Sequence, residues 1–157
     1  MRVLMALLLI AASAGTGGGA QSAAPFSITI STDKPTVKAG SDVYVEIRMT
    51  NTSNHSVDCT HQSQDFLDRS FEYEVRDGSR KLIPKLERNV PLESDGVSGS
   101  PRSIKPGETC EAFGGYVSHP YDMSRPGEYT IQVSRRISGN PRDGVVKSNR
   151  ITITVTP

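Results

Sequence analysis

The sequence has no tryptophan, few other aromatic residues and no long helical pattern. Aromatic residues make up 6% of its 157 residues, so the core is thin and other sources of stability are needed. No stretch keeps helical periodicity over three turns, which excludes a helical bundle. No His-Glu-x-x-His sequence occurs, so the helical zinc motif of many metallopeptidases is missing.

The chain also lacks an excess of charge of either sign. Its formal net charge is +1, and removal of residues 1–20 would remove Arg2 and no acid. A chain with balanced charge is a poor match for nucleic acid or for an anionic membrane as its main partner. We therefore expect neither partner. The pairs Arg80-Lys81 and Arg135-Arg136 are best explained as solvated strand or turn positions.

The first twenty residues have the pattern of a secretory signal peptide. Arg2 gives a short positive region, residues 3–12 form an unbroken apolar run, and small residues continue to Ala20. An apolar run of this length is too short to span a bilayer. We expect cleavage after Ala14 or Ala20 and a single domain over residues 21–157. No second apolar stretch follows, so we expect no membrane anchor.

Cys59 and Cys110 are the two cysteines of the chain. An even number of cysteines in an exported protein is typical of a disulfide. A bridge that closes a loop of about 50 residues stabilises a protein by roughly 4 kcal/mol in the chain-entropy model. Such a contribution matters for a chain with a thin core. Two reduced core thiols and a metal-binding pair are the alternatives.

Alternating apolar residues predict short strands separated by turns. Residues 33–41 are expected to form a linker, Asp77-Gly78 a two-residue hairpin turn, and residues 85–105 a long surface loop. This pattern predicts an all-β fold, an immunoglobulin-like antiparallel β-sandwich of seven or eight strands. The expected strands cover residues 26–31, 43–50, 57–59, 71–76, 80–83, 108–117, 128–137 and 146–155.

The segment from Tyr121 to Val133 carries the clearest signal of a turn followed by a strand. Pro126-Gly127 predicts the turn, and strict alternation of apolar and polar residues begins at Tyr129. A tyrosine two residues after the glycine resembles the tyrosine corner of immunoglobulin-like domains. The resemblance implies that Tyr129 is buried, that its hydroxyl bonds to upstream backbone, and that Gly127 shapes the turn.

Three segments together resemble bacterial secreted immunoglobulin-like domains. They are residues 34–43, residues 104–109, and residues 121–133 with the final strand over 147–155. The sequence Tyr-Asp-x-Ser-x-Pro-Gly-x-Tyr-Thr is similar to the N-terminal accessory domain of deuterolysin-like metallopeptidases, whose catalytic part is missing here. The general layout is similar to the intracellular proteinase inhibitor family. The resemblance implies an immunoglobulin-like fold and a bacterial origin, because its motifs are turns and strand starts.

One cluster of polar residues offers ligands for a metal. His55, Asp58, Cys59, His61 and Asp65 lie close together in the sequence, and these residue types bind zinc or copper. Their spacing matches no closed zinc site, and Cys59 has a competing role in the disulfide. Metal binding is therefore kept as an alternative hypothesis.

Three further patterns favour structural over catalytic roles. Residues 96–100, Gly-Val-Ser-Gly-Ser, lack the second glycine of a nucleophile elbow and its flanking strand and helix. Asn51 and Asn54 begin two N-glycosylation patterns, which we interpret as turn residues. Glu72 and Glu74 share the outward face of a strand, where a solvated pair explains them better than acid–base catalysis.

We therefore predict a non-enzymatic immunoglobulin-like module, secreted or periplasmic, that uses no cofactor. Its partner would be an unknown protein or a cell-envelope ligand, bound through the 85–105 loop or an exposed sheet edge. A protease inhibitor that presents the same loop is one alternative. A metal-binding protein that uses the His55/His61 cluster is the other.

Overall fold

The computed structural model describes residues 24–59, 63–64, 67–68, 70–86, 102–140 and 143–157. Over these residues the protein is all-β, and the prediction of an antiparallel β-sandwich is confirmed. The predicted signal peptide lies outside the described residues. The strands are β1 (Phe26–Ser31), β2 (Thr36–Lys38), β3 (Tyr44–Asn51), β4 (Val57–Asp58), β5 (Ser63–Gln64), β6 (Leu67–Asp68), β7 (Glu72–Asp77), β8 (Ser103–Ile104), β9 (Thr109–Tyr116), β10 (Gly127–Arg136) and β11 (Val145–Thr156).

Two larger sheets enclose the core. One has three strands in the order β1-β3-β9, and the other has four in the order β2-β11-β10-β7. Within these sheets β2 runs parallel to β11, and the other pairs are antiparallel. The alternation seen in the sequence places one face of each long strand inside. The largest fully buried side chains come from both sheets and include Ile30, Ile47, Met49, Ile131 and Ile153.

The number and place of the short strands differ from the prediction. Strand β2 lies in the predicted linker, where Val37 is buried and pairs with Val155. Strand β8 lies in the predicted 85–105 loop, where Ile104 is buried and pairs with Val57. A strand of two or three residues has too few positions for alternation to show. Residues 87–101 of that loop lie outside the described residues.

The hairpin after β7 is longer than the predicted two-residue turn. The backbone N–H of Asp77 donates to the Lys81 carbonyl, and Arg80 rather than Gly78 takes the left-handed conformation, with φ of 67°. The Asp77 carboxylate accepts hydrogen bonds from Ser79 and from the Lys81 N–H. This side chain therefore selects the longer turn. Beyond it, the predicted return strand forms only a single bridge between Arg76 and Leu82.

The predicted disulfide between Cys59 and Cys110 is present. Cys59 follows β4 and Cys110 lies in β9, and both are buried. The bridge therefore joins the small β4–β8 pair to an outer strand of the three-stranded sheet. In antibody domains the disulfide instead connects the two large sheets.

Tyr129 has the geometry of a tyrosine corner. Its ring is buried, and its hydroxyl donates to the Arg125 carbonyl at 2.9 Å. Between these residues Gly127 has φ of 150°, a conformation that residues with a Cβ rarely adopt. The turn and the tyrosine thus fix where β10 begins.

We expect Tyr129→Phe to lower the free energy of unfolding by about 1–3 kcal/mol, because it leaves the Arg125 carbonyl without its donor. Denaturant melts of the two proteins measure the difference. A midpoint unchanged within error would contradict the role of this hydroxyl.

Arg135 corrects the prediction of a solvated arginine pair. Its side chain is only 15% exposed, and its guanidinium carbon lies 5.8 Å from the Phe26 ring centre and 5.7 Å from that of Phe71. One of its nitrogens also donates to the Met49 sulfur at 3.4 Å. Arg135 occupies an inward position of the alternation that starts at Tyr129, which explains its burial.

We expect Arg135→Ala to lower the free energy of unfolding by about 1–3 kcal/mol, through lost cation–π contacts and lost packing of its stem. The neighbouring Arg136 is 54% exposed, so Arg136→Ala is the matched control and should change stability by no more than about 0.5 kcal/mol. Equal effects of the two substitutions would show that Arg135 has no special role.

Candidate functional site

The proposed metal cluster is only partly described by the structure. Cys59 is bonded to Cys110, Asp58 lies 3.6 Å from Arg135, and the exposed His55 contacts the Asn54 side chain. His61 and Asp65 lie outside the described residues. Among the described residues, no three histidine, cysteine, aspartate or glutamate side chains are placed to hold a metal ion.

Asn51 and the pair Glu72 and Glu74, for which structural roles were predicted, lie in the described part of the chain. Asn51 is not a turn residue as predicted but the buried last residue of β3, only 1% exposed. Its amide nitrogen donates to the carbonyls of His55 and Ile104, so its side chain holds the turn that follows the strand. Glu72 and Glu74 form outward-facing ion pairs with Arg136 and Arg76, and the neighbouring Arg76 lowers the pKa of Glu74 by hydrogen bonding. Residues 96–100 lie outside the described part of the chain.

A groove on the outer face of the three-stranded sheet is the strongest candidate site. It lies where β3 begins and β9 ends, and it has a volume of about 590 Å³. That volume falls within the range of about 300–1,000 Å³ that is common for ligand sites. The residues that line it are Thr32, Asp33, Lys34, Asp42, Tyr44, Glu46 and Tyr116.

A β-bulge in β9 places the second tyrosine in this groove. Met49 pairs with Cys110, but after the bulge Tyr44 pairs with Tyr116, which means that β9 has one extra residue. Cys110 is buried, so strict alternation would put Tyr116 on the buried face as well. The extra residue moves each later side chain of β9 to the opposite face of the sheet. Tyr116 therefore stands beside Tyr44 on the solvent side.

Gly114 makes this bulge possible. A Cβ at this position would overlap the carbonyl oxygen of Val45 and stand 2.6 Å from its carbonyl carbon. Only glycine lets the two strands approach so closely. The orientation of Tyr116 therefore depends on a glycine two residues before it.

The two tyrosine rings form a corner that faces solvent. Their centres are 5.3 Å apart and their planes are inclined at 65°. Tyr44 is 40% exposed and Tyr116 is 41% exposed. An edge-to-face pair of this kind holds both rings in place without covering them. The corner therefore offers rigid aromatic surface and two hydroxyl groups to a ligand.

The turn after β9 adds a histidine to the corner, and this histidine pairs with an aspartate that precedes β3. The N–H of Val117 donates to the Val43 carbonyl, and the N–H of Val43 donates to the Ser118 hydroxyl. These bonds hold the turn against the start of β3. His119 then stacks on Tyr116 with ring centres 5.4 Å apart, and its Nε2 lies 2.7 Å from an oxygen of Asp42.

The rim of the groove carries charges of both signs. Asp33, Asp42 and Glu46 supply carboxylates, and Lys34 supplies an ammonium group. Glu46 is already engaged, because Arg48 donates to it from Nε at 3.0 Å. The groove is therefore polar and only weakly acidic, and it holds both hydrogen-bond donors and acceptors.

A second groove lies beside the hairpin after β7 and has a volume of about 560 Å³. Leu82 and Leu86 are exposed there. Hydrogen bonds from Ser79 and Ser124 lower the pKa values of Asp77 and Asp122 on its rim. These carboxylates are used within their own turns, and the groove exposes no aromatic corner. We therefore rank it below the tyrosine groove.

Sequence reasoning missed the tyrosine groove. One signal for it was present, because Tyr44 lies on the polar, outward face of the clearest predicted strand. The position of Tyr116 could not be read from alternation, which predicts the opposite face. The pairing of His119 with Asp42 was missed as well, because these residues are 77 positions apart in the sequence.

Comparisons with known proteins add little to this description. No protein-family model and no curated protein matches the chain. A solved structure of a β-glucosidase from Erythrobacter marinus aligns with 82% of the chain at 16% sequence identity and a TM-score of 0.43. The aligned part covers 15% of that structure. Similarity this distant supports no conclusion about activity.

The described residues contain no helix with the length and apolar character needed to cross a membrane.

Proposed function

We propose that the protein is a non-enzymatic binding module and that the tyrosine groove is its binding surface. The observation that carries the proposal is the exposed Tyr44–Tyr116 corner inside a groove with a polar rim. Tyrosines are favoured in binding surfaces because they offer large, rigid contact area and a hydroxyl at a small entropic cost. Its two tyrosines stand on strands of the sandwich, Tyr44 in β3 and Tyr116 in β9, which preorganises the aromatic corner.

We further propose that the module acts in the periplasm or outside the cell. The Cys59–Cys110 disulfide is compatible with such a location, because disulfides persist in oxidising compartments. The expected partner is a protein or a cell-envelope ligand. Recognition by the 85–105 loop, including the protease-inhibitor alternative, stays a prediction because most of that loop lies outside the described residues.

Retention of native envelope and secreted material by the immobilised exported protein tests the proposal. The double variant Tyr44→Ser/Tyr116→Ser should lose the retained material. Leu82→Ser/Leu86→Ser, which changes the exposed leucines of the second groove, should keep it. Both variants alter surface side chains, and thermal melts show whether each still folds.

The opposite pattern would contradict the assignment. If the leucine variant loses the material and the tyrosine variant keeps it, binding lies on the hairpin side. If both variants keep it, the groove plays no part.

A further inference from the structure

We infer that the tyrosine groove takes a neutral oligosaccharide. The inference rests on the proposed function, because it names the ligand class of the same site. It follows from two properties of the groove: exposed ring surface and a mixture of hydrogen-bond donors and acceptors.

The ring surface matches the shape and chemistry of a sugar. A pyranose ring has an apolar face of C–H groups and a rim of hydroxyls, so it packs on an aromatic ring while the hydroxyls stay hydrogen bonded. Tyr44 and Tyr116 present two such rings at 65° to one another. His119 stacks on one face of Tyr116, so that face is covered and the ring is held in place, while 41% of Tyr116 stays exposed to a ligand. Rigid aromatic surface reduces the entropy lost on binding.

The rim of the groove is complementary to the hydroxyl groups of a sugar, which both donate and accept hydrogen bonds. The carboxylates of Asp33 and Asp42 accept, the ammonium group of Lys34 donates, and the tyrosine hydroxyls do either. A neutral ligand with many hydroxyls can satisfy all of these groups at once. An apolar peptide would leave the rim unsatisfied, at a cost for each buried polar group.

The charges leave the rim weakly acidic. Arg48 lies 2.9 Å from Glu46 and 3.7 Å from Glu111, and Lys34 adds a second positive charge at the rim. Asp33 and Asp42 add two further carboxylates, of which Asp42 pairs with His119 at 2.7 Å. A basic peptide is therefore the competing occupant, and an oligolysine probe distinguishes it from a neutral ligand.

Affinity gel electrophoresis of the exported protein tests the inference. The probes are soluble neutral polysaccharides (β-glucan, α-glucan, mannan and xylan), with an oligolysine peptide and an anionic polysaccharide for comparison. We expect at least one neutral polysaccharide to retard the native protein. Tyr44→Ala and Tyr116→Ala should each weaken that binding roughly tenfold. Tyr44→Phe should retain most of it, because the ring surface remains.

Several results would overturn the inference. They are no retardation by any neutral polysaccharide, binding of oligolysine in preference to them, or retardation that the tyrosine variants do not change. The proposed function can be judged separately. If the tyrosine variants lose native material but no neutral polysaccharide binds, the groove is a binding surface for another ligand class. If they change neither experiment, both proposals fail.

Discussion

Replacing Gly114 with alanine should lower the free energy of unfolding by about 3 kcal/mol or more. The added Cβ would stand 2.6 Å from the carbonyl carbon of Val45 and 2.8 Å from the Cα of Glu46. Both obstructing atoms belong to the backbone of β3 and cannot rotate away. Relief requires the two strands to separate, which disrupts the sheet. Urea melts of the wild type and the variant measure the loss.

Gly139 provides the matched control. Nothing lies within 4 Å of a Cβ added there, and its φ is not in the left-handed region. Gly139→Ala should therefore change stability by no more than about 1 kcal/mol. If Gly114→Ala were as harmless as Gly139→Ala, the close approach of β9 to β3 would be wrong, and with it the orientation of Tyr116.

Removing the disulfide should have an effect of similar size. The bridge joins residues separated by 51 positions, and a loop of that length corresponds to roughly 4 kcal/mol in the chain-entropy model. The variant Cys59→Ala/Cys110→Ala should lose most of that amount in denaturant melts. Native stabilities are commonly about 5–15 kcal/mol, so the loss is a large share of the total.

A reductant distinguishes the effect of losing the disulfide bond from the effect of removing the two packed sulfur atoms. It should destabilise the wild type and leave the alanine variant unchanged. Intact-mass measurement after alkylation, with and without reductant, shows whether the native protein carries the bond. Two free thiols in the native protein would contradict the account.

The long strands were predictable from the sequence because their periodicity is strong. Along β3 and β10, buried apolar residues alternate with polar ones over most of the strand. The tyrosine signal after Pro126-Gly127 is also local, since the hydroxyl of Tyr129 reaches back only four residues. Such features depend on neighbours in the chain, so the sequence alone contains the information needed.

The features that escaped prediction depend on partners distant in the chain. Val37 gives no periodic signal by itself, and its strand is defined by the pairing of β2 with β11. Arg135 is a charged residue at an inward position, and its burial depends on the rings of Phe26 and Phe71. A charged side chain is usually expected in solvent, and aromatic neighbours from distant parts of the chain reverse that expectation for Arg135.

The candidate site escaped prediction for a related reason. Half of its aromatic corner was visible as Tyr44 on the outward face of β3. The other half, Tyr116, depends on one extra residue in β9, and that bulge is visible only once the register with β3 is known. Bulges often redirect a side chain near a functional site. Gly114 therefore links the fold to the candidate site, because the close backbone packing at this residue sets the direction in which the Tyr116 side chain points.

Chemical-shift mapping by two-dimensional NMR tests the central claim most directly. The isotope-labelled protein would be titrated with the envelope fraction that the immobilised wild-type protein retains. We predict that the largest shifts occur at the start of β3, at the end of β9 and in the turn that holds His119. The hairpin residues from Asp77 to Leu86 should stay unchanged. Shifts concentrated on that hairpin, or spread along an outer strand far from Tyr44 and Tyr116, would contradict the claim.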